Sequence, residues 1–161
     1  MELKDKLVSS YVAFENRVET DSEVHEIRSK ALQNFEALGF PTKKLEAWKY
    51  TSLNKVLKED YTLFSKKKNV LDFKNVKDFF LDNTESYKIV FVDGFYDPFL
   101  SQTSHDGIDI CIMSAALTKS KYSSIIKKYF NTSVDKNESF SQLNTAFSKE
   151  GAYVHIPKNI I

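Results

Sequence analysis

Residues 87–94 read YKIVFVDG, and the fold class turns on them. Ile89, Val90, Phe91 and Val92 form a short apolar run in which three of four side chains are β-branched, and Asp93-Gly94 closes it with a hairpin dipeptide. The run predicts a strand that turns back at once. Phe95, Phe99 and Leu100 supply the returning strand, with Pro98 tolerated at an edge. Further on, Ile108, Ile110 and Ile112 alternate with Asp109, Cys111 and Met113, a second strand pattern. A small mixed sheet is therefore expected from Tyr87 to Met113.

Both flanks of this sheet change period. Leu3, Leu7, Tyr11, Phe14 and Val18 fall on one helical stripe, and Val24, Ile27, Ala31, Phe35 and Leu38 on another. Thr20, Asp21 and Ser22 offer capping oxygens between them, with Glu23 placed as in a capping box. Gly39 ends the second helix, and Phe40-Pro41 cannot extend it. The two helices are expected to form a hairpin. Thr42 caps a short turn through Leu45 and Trp48, and Thr51 or Ser52 caps another carrying Leu53, Val56 and Leu57. The run Ser65-Lys66-Lys67-Lys68-Asn69 reads as a solvated loop. Helical spacing returns with Tyr122, Ile125, Ile126 and Tyr129, and again with Phe140, Leu143, Ala146 and Phe147 before Gly151.

The final stretch, AYVHIPKNII, opens as an alternating strand and stops without a turn or partner. Either it docks on this domain or it begins something longer, and the second reading is favoured. The expected class is α+β, mainly helical, with residues 1–150 as one domain and 151–161 as the first strand of another layer.

Composition limits the function. The chain has 161 residues, 42% hydrophobic and 28% charged, enough for one domain with a core and too ordered a mixture for a disordered chain. A net charge of +1 lacks the excess of a dedicated nucleic-acid binder. The charge is uneven, however: residues 41–68 carry a net +5 and residues 1–40 a net −3. Cys111 is the single cysteine, so no intrachain disulfide forms and no set of thiolates holds a zinc ion or a cluster unaided. A reducing, cytoplasmic setting is expected, and no cofactor, metal or membrane contact.

His25, His105 and His155 stand in no metal-ligand spacing. His25 lies on the charged flank of a helix. His105 precedes Asp106-Gly107 in a turn, where adjacent residues rarely face each other as a general-base pair would. His155 alternates with Val154 and Ile156, which assigns it to the less buried strand face. Cys111, inside IDICIM, has no basic neighbour to lower its pKa and reads as a packed, inert thiol. Asp72, Asp78, Asp82 and Glu85 lie on a charged stretch that a helix exposes to water. The chain lacks a nucleophile elbow and a phosphate-binding glycine loop. No enzymatic activity is expected.

One segment has a sharper alternative. Trp48-Lys49-Tyr50 sits within the basic region, and rings between lysines can stack bases while the ammonium groups meet phosphate, which makes residues 41–68 a candidate nucleic-acid-binding module. The competing reading anchors Trp48 and Tyr50 onto the helical hairpin and leaves the lysines in water, and no second aromatic-basic stripe is apparent to oppose it.

The stretch FPTKKLEAWKYTSL, Phe40 to Leu53, closely resembles the amino-terminal signature of the SufD family, components of the bacterial SUF system for iron–sulfur cluster assembly. RSKALQNFEALG, VFVDGFYDPFLS and SFSQLNTAFSKEGAYVHIPKNI resemble the family's flanking segments. The WKYTSL form and the single cysteine favour SufD over its paralogue SufB, which shares the later pattern. The resemblance implies a non-catalytic scaffold subunit acting with a SufB-like scaffold and a SufC-like ATPase that binds the ATP. It also implies that the strand from Ala152 begins a right-handed parallel β-helix, absent beyond residue 161. The family's cluster-building and ATPase-docking residues lie in those later parts and transfer to no position here. Trp48, Lys49 and Tyr50 are the candidates for a partner surface.

Overall fold

The computed structural model describes residues 2–18, 22–64, 71–81, 86–103, 107–133, 135–149 and 151–160. The expected capping by Thr20 and Asp21, the lysine loop from Ser65, Asp82, Glu85 and the His105-Asp106 turn lie outside these residues, as does the Ser22 side chain. The chain divides into two units, Met1–Ser65 with Ser124–Ser148, and Lys66–Ser123 with Lys149–Ile161.

The first unit is helical. It holds α1 (Leu3–Glu15), α2 (Ser22–Leu38), the later part of α5 (Ser120–Tyr129) and α6 (Ser139–Ala146). Gly39 stops α2 as expected: its φ of +65° suits a residue without a Cβ, and its N–H donates to the Phe35 carbonyl at 2.7 Å. Tyr11 and Phe14 of α1 pack with Ala31, Ala146, Phe64 and Phe147, and burial pushes the Tyr11 phenol up to about 12. The Phe14 ring lies 5.1 Å from Phe147 and 5.4 Å from Phe64. Phe64 reaches that cluster at a φ of +56°, a left-handed conformation that phenylalanine rarely adopts.

The helical hairpin forms, but α2 packs chiefly on α6. The reason is polar. The buried face of α6 is Ser139, Gln142, Thr145 and Ala146, whereas Phe140 and Leu143 are half-buried. Asn34 of α2 donates to Gln142 at 3.0 Å, and the Ser139 hydroxyl donates to the Gly39 carbonyl. Satisfied amides and hydroxyls therefore occupy an interface that an apolar pattern search overlooks.

The second unit contains α3 (Phe73–Val76), α4 (Met113–Leu117) and four short strands: β1 (Phe91–Val92), β2 (Phe95–Tyr96), β3 (Asp109–Ile112) and β4 (Ala152–His155). Asp72 caps α3 with a reciprocal Asn75 bond. The Asp93-Gly94 hairpin is as read: both residues have positive φ, +50° and +83°, which the tight primed turn demands. The α+β class holds, but the single mixed sheet does not. Among the described residues β1 pairs with β2 alone, and β3 pairs antiparallel with β4, so two separate antiparallel sheets replace it. The partner of β3 lies some forty residues downstream, beyond the reach of local pattern.

Phe35 is fully enclosed and Phe99 is 96% exposed. Phe35→Ala is expected to lower the stability of the first unit by about 3–5 kcal/mol, and Phe99→Ala to change that of the second by less than about 0.5 kcal/mol. Urea titration followed by circular dichroism reads both.

Candidate functional site

Trp48 closes a single 3-10 turn, Glu46–Trp48, that follows the Thr42-capped turn. Its indole is half-buried, 5.4 Å from the Phe140 ring, and Phe140 in turn meets Phe40 at 5.8 Å. Lys49 pairs with Glu46 at 3.5 Å, and its ammonium lies 5.3 Å from the Tyr50 ring centroid. Tyr50 itself is 88% exposed. The anchoring reading thus holds for Trp48 and fails for Tyr50, because consecutive residues leaving a tight turn point in different directions and only one ring reaches α6. The structure brings all three together as a turn with an indole inward and a lysine-capped phenol outward.

The strap of chain from Thr42 to Asp60, which contains this turn, is fixed at its far end. Lys6 of α1 donates to Asp60 Oδ1 at 2.7 Å and to the Tyr61 carbonyl at 2.6 Å, and the Lys6 ammonium holds the Asp60 carboxyl below its ordinary value.

The other sequence candidates fall elsewhere. His25 donates from Nδ1 to Glu15 and is partly exposed. Cys111 is half-buried opposite Tyr153 in the β3–β4 ladder. His155 corrects its expectation: it shares the more buried sheet face with Tyr153, whose ring lies tilted 4.8 Å from that of Tyr122, while Val154 and Ile156 are exposed. The alternation was legible, but which face was covered depended on Tyr122.

That pairing also assembles a cluster that spacing did not reveal. The register sets Asp109 opposite His155, whose Nδ1 donates to Asp109 Oδ2 at 3.2 Å, and Lys121 Nζ donates to the same oxygen at 2.9 Å. Lys121 holds the Asp109 carboxyl down at about 2. Asp109 thus takes a cross-strand hydrogen bond from His155 and an ion pair from the Lys121 ammonium, so the cluster has the form of a structural clasp. A second basic-aromatic pattern also appears in this unit: Lys88 lies 5.5 Å from the Phe80 centroid and Lys149 5.6 Å from that of Phe95. Among the described residues, no three His, Cys, Asp or Glu side chains converge as metal ligands, and no helix is long and apolar enough to cross a membrane.

Comparison with known proteins points in one direction. The family model described as the SufBD protein N-terminal region matches residues 1–161. An iron–sulfur cluster assembly SufBD family protein of Synechocystis sp. is 31% identical over 123 residues, covering 76% of this chain. The match takes in 27% of the relative, so the chain spans less than a third of its length.

The folded carboxyl of Asp109 titrates below its unfolded value, so its contribution to stability is complete above about pH 4 and is lost as pH falls through about 2. Acid titration of wild type between pH 4 and 2 is expected to show this loss, and Asp109→Asn to remove that part of the slope, read as the urea midpoint at each pH.

Proposed function

The chain belongs to the SufBD family of iron–sulfur cluster assembly proteins, and from that premise we propose that it is the N-terminal region of a SufD-like, non-catalytic scaffold subunit. In this reading the whole protein works in the cytoplasm with a SufB-like scaffold and a SufC-like ATPase. The cluster is the cargo of that assembly and ATP belongs to the ATPase. The match to the N-terminal family model over residues 1–161 carries the proposal. The SufD-like assignment draws support from the WKYTSL form at Trp48–Leu53 and from the single cysteine.

The role proposed for this region is attachment rather than chemistry. Its candidate partner surface is Trp48, Lys49 and Tyr50, with the indole bracing the turn and the phenol offered outward. We also propose that β4 is the first strand of a parallel β-helix core. In its support, one face of the β3–β4 sheet carries only aliphatic side chains, Ile110, Ile112, Ala152 and Val154, with the 61% exposed Ile156 next in the alternation. Ile110, Ile112 and Ala152 are half-buried and Val154 and Ile156 exposed, and such a partly open aliphatic face can seat another layer.

Full-length protein bearing an affinity tag is expected to capture SufB-like and SufC-like subunits from native lysate, identified by mass, while residues 1–161 capture neither. Failure of the full-length protein to capture them defeats the scaffold reading. In the full-length protein, Val154→Lys combined with Ile156→Lys is expected to destabilise by about 1.5–3 kcal/mol per buried side chain, read by thermal melting. An unchanged melting temperature removes the proposed covering layer.

A further inference from the structure

We propose that the outer side of the Thr42–Asp60 strap is a docking surface for an acidic protein segment with apolar side chains among its carboxylates. This deepens the partner-surface reading of Trp48, Lys49 and Tyr50 and rests on it.

The strap is preorganised. Trp48 seats on Phe140, Lys6 holds Asp60 and the Tyr61 carbonyl, and Leu53 and Leu57 are half-buried between these anchors. A surface fixed in advance binds without first having to be ordered. Two of its three acids are engaged, Glu46 by Lys49 and Asp60 by Lys6, which comes from outside the strap, and Glu59 stays exposed. Lys43, Lys44, Lys55 and Lys58 are exposed and make no ion pair among the described residues. Four exposed lysines thus face solvent against one exposed carboxylate, Glu59, so the outer side of the strap is net positive.

Side chains between the lysines decide the class of partner. Leu45 and Val56 are both about half exposed and offer nothing to a phosphodiester backbone, but they suit apolar side chains spaced between carboxylates. A single strand of nucleic acid needs successive free ring faces. Trp48 is turned to Phe140, and one face of Tyr50 is already covered by Lys49. Tyr50 suits a protein interface better, with an amphipathic ring and a hydroxyl able to donate to a carboxylate.

The test uses the full-length protein and three probes: a short peptide of Asp and Glu interspersed with Leu, the same peptide with Lys replacing its acids, and oligodeoxythymidine matched in charge to the first. Binding is read by fluorescence anisotropy of the labelled probes. The acidic peptide is expected to bind, with an affinity that falls about tenfold as salt is raised through the physiological range. Tyr50→Ala is expected to weaken it about tenfold. The combined variant K43E/K44E/K55E/K58E is expected to abolish it while keeping the wild-type melting temperature, since all four side chains are exposed. Equal or tighter binding of the oligonucleotide, binding of the lysine peptide, or no binding of the acidic peptide overturns the proposal. So does self-association by light scattering that K43E/K44E/K55E/K58E abolishes, since the surface then serves a second copy. Subunit capture by the wild-type full-length protein reads the scaffold function separately: captured subunits without peptide binding sink the docking surface alone, and peptide binding without capture sinks the scaffold reading alone.

Discussion

The first unit depends on a charge held away from water. Arg28, 4% exposed, sits on the buried face of α2 with its guanidinium 5.9 Å from the Phe14 ring centroid. It donates to the Ser148 carbonyl just after α6, and its Nη1 lies 3.9 Å from Glu15 Oε1 at the end of α1. One side chain thus ties three helices together. Burial pulls the guanidinium's pKa down and Glu15 opposes that shift. Nη1 and Glu15 Oε1 make no hydrogen bond among the described residues, so the pair is held by Coulomb attraction and enclosure more than by ideal geometry. Such a pair adds little net stability, yet losing one member strands the other, which makes it a strong constraint on how α1 and α6 meet α2.

That constraint has consequences for the strap. Because α6 is fixed against α2 by Asn34–Gln142 and by Arg28, its Phe140 stands where Phe40 and Trp48 can reach it. Trp48 then sets the direction of the turn, and Tyr50 is left outside. The aromatic signature of the sequence is in this sense a consequence of helix packing: the indole serves the core and the residues after it serve the surface.

In the second unit, the same division appears across a two-stranded sheet. Tyr153 meets Tyr122 on one face, next to the Asp109, Lys121 and His155 clasp, while aliphatic residues line the other. On β4 the aromatic Tyr153 is the buried residue and Val154 the exposed one, while both faces of β3 are half-buried.

The sequence by itself determined the helices at both ends, the stop at Gly39, the Asp93-Gly94 turn and the α+β class, because capping, turn chemistry and periodicity are local, and the resemblance of Phe40–Leu53 to a known family gave the family. It also marked Trp48 to Tyr50 as the segment of interest. Only the tertiary structure decided the pairing of β3 with β4, the burial of Arg28 and Gln142, the side on which His155 falls and the separate fates of Trp48 and Tyr50. Each of these turns on a partner distant in the chain: β4 for β3, Ser148 for Arg28, Asn34 for Gln142, Tyr122 for the face of β4, and Phe140 for Trp48. Periodicity records which residues share a face, and it carries no information about what that face will meet.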